Sequence, residues 1–137
     1  MIKDIKNQMD KQPVSEILAH CVYDNSQDGM NKVYADYARH RDWQMCGWYE
    51  NETLLGVCGF AVHSNWLEIL HVATAENARG LGIGKAIINF LQEKYKMKIE
   101  LETDDDAVDF YRKCGFETIP IRKYDVRRWT CVLYIKE

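Results

Sequence analysis

The chain has 137 residues, 47% of them hydrophobic and 28% charged, which describes one folded domain with material for a core and excludes a disordered chain. Its net charge of -3 argues against a nucleic-acid binder. No apolar run approaches the roughly 18 residues of a membrane span, and the first residues carry charge but no apolar signal-peptide core.

Met1 to Lys6 is expected to form a short edge strand. Pro13 suits a first helical turn, and Val14, Ile17, Leu18 and Cys21 share one face of a helix over 14–23. Asp24 to Gly29 is a turn cluster. A second helix is expected over 30–41, with Val33, Tyr34, Tyr37 and Ala38 as its stripe. The period then changes to that of strands, over 44–49, 53–63 and 66–74, joined by tight turns into a meander.

The strand Trp66 to Thr74 runs into Arg79-Gly80-Leu81-Gly82-Ile83-Gly84-Lys85, a glycine-rich turn that opens a helix. In that helix Ile83, Ala86, Ile87, Phe90 and Leu91 are expected to face the core. A strand follows over 98–103. Thr103 reads as the cap of the next helix, which ends at Cys114 before Gly115. Two last strands, 116–121 and 129–135, flank the polar stretch Arg122 to Arg128. The order β-α-α-β-β-β-α-β-α-β-β predicts a single mixed α/β domain over 1–137.

The exposed N–H groups of a helix's first turn and its dipole together make an anion site. The glycine turn is not a P-loop, because Ala86 follows Lys85 and Gly80 lies one residue too close. It is not the dinucleotide fingerprint either, because the third glycine comes one position early. The five cysteines show no C-x-x-C spacing and read as reduced thiols of a cytoplasmic protein. The four histidines form no H-x-x-x-H pair, so no metal site is expected.

The spacing R-x-x-G-x-G does fit, as Arg79, Gly82 and Gly84. About 25 residues on comes Ala107-Val108-Asp109-Phe110-Tyr111-Arg112-Lys113-Cys114-Gly115-Phe116, an A-x-x-F-Y-x-x-x-G-F pattern. Together these resemble the GNAT superfamily of N-acetyltransferases. The resemblance implies a sheet of about seven strands, mostly antiparallel, whose central parallel pair splays around the cofactor. It implies acetyl-CoA as donor, with its pyrophosphate on Arg79, Gly80, Leu81, Gly82, Ile83, Gly84 and Lys85, and its pantetheine along Val72, Ala73 and Thr74. The Val72 N–H would polarise the thioester carbonyl.

The resemblance also assigns Tyr111 as the acid for the leaving thiolate and Glu68 as the base that frees the amine, with His71 or water as rivals. Where relatives carry a pantetheine-binding asparagine, this chain has Asp104, which would bond the cofactor or cap the helix. Tyr34, Tyr37, Trp43 and Trp129 are aromatic candidates for the acceptor side, or core residues. Arg122, Lys123, Arg127 and Arg128 are a solvated cluster or a grip on an anionic acceptor. The expected reaction is direct attack by a primary amine of a small molecule in a ternary complex, without nucleic acid, membrane or metal, and with a homodimer left open. A protein N-terminus or lysine as acceptor, or a CoA-binding module without catalysis, are the alternatives.

Overall fold

The computed structural model describes residues 1–135. Seven strands form one sheet in the order β1-β2-β3-β4-β5-β7-β6. They are β1 (Ile2–Asp4), β2 (Trp43–Glu50), β3 (Thr53–Val62), β4 (Trp66–Thr74), β5 (Lys98–Thr103), β6 (Glu117–Lys123) and β7 (Val126–Leu133). The helices are α1 (Val14–Ala19), α2 (Gln27–Arg39), α3 (Ile83–Tyr95) and α4 (Val108–Lys113). The element order is the one expected, and among the described residues the only parallel neighbours in the sheet are β4 and β5.

That parallel pairing is short. Trp66, Leu67 and Glu68 pair with Lys98, Ile99 and Glu100, and from Ile69 onward the two strands part. Beyond that point β4 stays with β3 and β5 stays with β7. Between β3 and β4 the register slips: Gly59 lies opposite His71 but Phe60 lies opposite Ile69, so Leu70 is an extra residue in β4. Such a bulge bends a strand and raises its local twist, which turns the end of β4 away from β5.

The sheet separates two cores. One holds Ile83, Ile87, Ile88 and Leu91 of α3 with Val108 and Tyr111 of α4. The other holds Val14, Ile17 and Leu18 of α1 with Met30 and Tyr37 of α2. Ile87 and Ile88 are fully enclosed, each worth about 1.5–3 kcal/mol of burial. The buried face of α3 is rotated from the expected stripe: Gly84 and Ile88 are inside, while Phe90 is 39% exposed.

Several boundaries differ from the sequence reading for local reasons. Helix α1 stops at Ala19, and His20 to Tyr23 leave it as a turn. Helix α2 begins three residues earlier than expected because Ser26 caps it, its hydroxyl accepting from the Gly29 N–H at 3.2 Å. Thr103 is a buried β5 residue. It is Asp104 that caps the turn into α4, its Oδ1 accepting from the Ala107 N–H at 2.9 Å. The stretch 122–128 is mostly strand, with Lys123 opposite Val126 across a turn made by Tyr124 and Asp125, both at positive φ. Paired positive φ values match the right-handed twist of a hairpin.

Candidate active site

The parting of β4 and β5 leaves a cleft of about 590 Å³. Its walls are Ile69 to Thr74 of β4, Leu101 to Thr103 of β5, Phe110 and Tyr111 of α4, Gly84 of α3 and the turn His20 to Tyr23. Val72, Ala73 and Thr74 therefore line the gap along the part of β4 that β5 no longer covers. Backbone groups facing such a gap have no strand partner on that side and are open to a ligand.

The glycine loop continues from one end of the cleft. The Ala86 N–H makes the first helical bond, to the Gly82 carbonyl at 2.9 Å, so the N–H groups of Ile83, Gly84 and Lys85 have no acceptor within the helix. Gly80 and Gly82 sit at φ of 82° and 78°, and a Cβ on either would meet nothing within 4 Å. Conformation, not crowding, requires glycine there. Gly84 differs, since a Cβ there would lie 2.8 Å from the Phe110 ring. Arg79, Leu81 and Lys85 are exposed, whereas the Ile83 side chain is core.

Tyr111 is 6% exposed in the cleft wall, held edge-on between Phe110 and Phe116 with centroids 5.0 and 5.4 Å away. Burial raises its phenol well above the usual value, so it is neutral. Glu68 lies just before the cleft begins. Its carboxylate is half-exposed and meets the His63 Nε2 at 3.0 Å, and His63 stacks on Trp66. The structure thus gathers Val72, Ala73, Thr74, Gly84 and Tyr111 around one cleft and sets Glu68 outside its lining.

His71 lines the cleft, and its Nδ1 is 2.7 Å from the Tyr37 hydroxyl. Desolvation lowers its pKa from the ordinary 6.5, with Asp36 opposing weakly. Tyr37 is 1% exposed and stands edge-on to Trp43, so these two aromatics are core.

The turn His20 to Tyr23, read from the sequence as helix, forms a wall of the cleft. Burial pushes the Cys21 thiol up to about 11, with the backbone of Val72 pulling weakly the other way. The place of Cys21 in the cleft wall had no local signal, because the walls come from separate elements. The basic cluster is tied down. Arg127 pairs with Asp105 at 2.9 Å, Arg128 with Glu102 at 2.8 Å, and Lys123 with Glu102 at 3.4 Å. Trp129 donates its indole N–H to Asp105 at 2.7 Å. Among the described residues no lysine or arginine lines the cleft, while Glu102, Asp104 and Asp106 do. Among the described residues no group of three His, Cys, Asp or Glu could hold a metal ion.

A family model described as Acetyltransferase (GNAT) family matches residues 11–116, which hold the splayed strands, the glycine loop and α4. The chain belongs to the GNAT acetyltransferase family. This GNAT domain is 29% identical, over 86 residues, to an uncharacterized N-acetyltransferase in the lysA 3′ region of Bacillus methanolicus, covering 62% of this chain and 71% of that one. Among solved structures it resembles a Bacillus subtilis acetyltransferase in complex with CoA, at TM-score 0.71 and 18% identity, covering 98% of each chain. It also resembles the aminoglycoside 6′-N-acetyltransferase from Enterococcus faecium, at TM-score 0.73 and 13% identity, covering 100% of this chain and 98% of that one. The GNAT resemblance read from the two motifs is borne out, as is the predicted sheet.

Proposed function

We propose that this chain transfers the acetyl group of acetyl-CoA to a primary amine of a small molecule by direct attack in a ternary complex. The observation that carries it is the gap between β4 and β5, with the open N-terminus of α3 at one end and a buried neutral tyrosine in its wall. The pyrophosphate would lie on the N–H groups from Arg79 to Lys85, where helix dipole and free donors favour an anion. The pantetheine would run along Val72, Ala73 and Thr74. The Val72 N–H would bond the thioester carbonyl.

Tyr111 would donate to the departing sulfur. Its raised pKa makes it a poor acid, so it acts by a hydrogen bond that strengthens as the thiolate forms. Glu68 would accept the amine's proton through water, from just outside the cleft. An amine near its ordinary pKa of about 10.4 is mostly charged at neutral pH. Asp104 and Asp106 of the cleft suit such a cation, and among the described residues no lysine or arginine lines the cleft to oppose it.

Thiol release from acetyl-CoA with a panel of amines tests the reading. Release with small amines supports it, and tight CoA binding without release from any acceptor would point to a non-catalytic module. The two-residue turn between β6 and β7 leaves little chain to cover the acceptor side. That favours, as a second reading, a peptide N-terminus or lysine as acceptor, and short peptides belong in the same panel.

A further inference from the structure

The acetyl-transfer reading leaves His71 without a role, although it lines the cleft and carries the only side chain of β4 hydrogen-bonded to a helix among the described residues. Its partner, the Tyr37 hydroxyl, comes from α2 on the far side of the second core. The fit is close. Gly59 lies opposite His71 in β3, and a Cβ at Gly59 would fall 1.8 Å from the Tyr37 oxygen. The absence of a side chain at 59 is therefore what lets the hydroxyl reach the ring.

Hydrogen-bond accounting fixes the direction of this contact. Tyr37 is 1% exposed, so solvent does not serve its hydroxyl, and among the described residues the hydroxyl has no other hydrogen-bond partner than Nδ1. A hydroxyl carries one proton to give and lone pairs to receive, and a buried donor left unmade is costly. The O–H therefore donates to Nδ1. A neutral imidazole that accepts at Nδ1 carries its proton on Nε2. Burial keeps the ring neutral, and Asp36 is the anion that resists this. The two ring nitrogens point in divergent directions, so with Nδ1 turned toward Tyr37 the Nε2–H turns toward the cleft that His71 lines. There it has no protein acceptor among the described residues, and it cannot take a proton from the incoming amine.

We propose that His71 is a specificity-determining hydrogen-bond donor, locked by Tyr37 with its proton on Nε2, and that this N–H recognises an oxygen on the acceptor molecule close to its reacting amine. The inference rests on the acetyl-transfer reading and narrows its substrate class to amines that carry a hydroxyl, ether or carboxylate oxygen. A base role for His71 is replaced by a recognition role, which leaves proton removal to Glu68 and water. Tyr37 is a positioning residue, acting only through the imidazole.

Two measurements test this. Long-range proton–nitrogen NMR on the wild-type protein should find Nε2 protonated and Nδ1 bare, with a mixture of both forms in Tyr37→Phe. Thiol release should then be compared for methoxyethylamine and butylamine, which have nearly the same shape and differ in one oxygen. Relative to wild type, the preference for the ether should fall about tenfold in His71→Leu, the loss of one hydrogen bond to a bound oxygen. His71→Gln, whose amide nitrogen replaces Nε2 as a donor but is no base, should keep much of the preference that His71→Leu loses. A wild-type ring protonated on Nδ1 overturns the proposal. So does an ether preference that is unchanged in His71→Leu, or an equal loss of turnover on both amines in His71→Leu and His71→Gln, which would make the histidine a base. Wild-type protein that releases no thiol with any amine defeats the acetyl-transfer reading instead, and the NMR result still decides the tautomer.

Discussion

Gly59 and Tyr37 are fitted to each other across the second core, with the hydroxyl filling the space a Cβ would take. Gly59→Ala should therefore lower stability by about 1–3 kcal/mol, because the ring must shift within a packed interior. The substitution alters neither His71 nor its partner chemically. Urea unfolding gives the stability change, and the NMR signature of the imidazole should shift as it does in Tyr37→Phe.

Tyr111→Phe keeps the aromatic packing against Phe110 and Phe116 and removes only the hydroxyl. Turnover should fall about 100-fold while the CoA dissociation constant changes little. Steady-state kinetics beside calorimetric titration with CoA would check this. Unchanged turnover removes the tyrosine from the chemistry.

Gly82 and Gly84 should respond differently to alanine. At Gly82 the cost is the backbone, since φ is 78° with open space around the site, and about 1–2 kcal/mol is expected. At Gly84 the new methyl meets the Phe110 ring at 2.8 Å, so that partly exposed ring, which stands edge-on to Tyr111, must shift. Gly82→Ala should weaken CoA binding chiefly, and Gly84→Ala should lower turnover as well.

The buried His71 makes stability depend on pH with a definite sign. Its folded pKa lies below the ordinary 6.5, so the unfolded chain takes up the proton more readily. Its contribution is fully present above about 6.5 and is lost as pH falls through that value toward the folded pKa. Denaturant unfolding at a series of pH values should show the slope, and His71→Gln should flatten it. An unchanged slope in the variant would mean that other groups carry the dependence.

Much of the frame was legible from local pattern. The bounds of β4 and β5 came from apolar runs between turn residues, and Gly115 ends α4 as its glycine suggested, with the Phe116 N–H reaching back to the Tyr111 carbonyl at 3.1 Å. The start of α2 was missed because Ser26 and Asp24 bond each other and read as a turn, while the same serine also caps the helix. The basic stretch 122–128 hid its strand character, since its partners Glu102 and Asp105 lie some twenty residues away. The bulge at Leu70, which decides where the sheet opens, had no local pattern of its own; a bulged fourth strand followed only from the family resemblance. The Tyr37–His71 contact joins residues 34 apart and depends on an absent side chain at a third position.

The short ladder between β4 and β5 has a consequence for stability. Where three rungs end, the middle of the sheet presents two strand edges to each other, the kind of surface that elsewhere recruits foreign chains. Here the edges face each other across a gap walled by α4 and the turn after α1. A donor molecule lying in that gap is then a structural member as well as a reactant. It should slow amide hydrogen exchange at Val72, Ala73 and Thr74 and raise the melting temperature with the logarithm of its concentration above the dissociation constant.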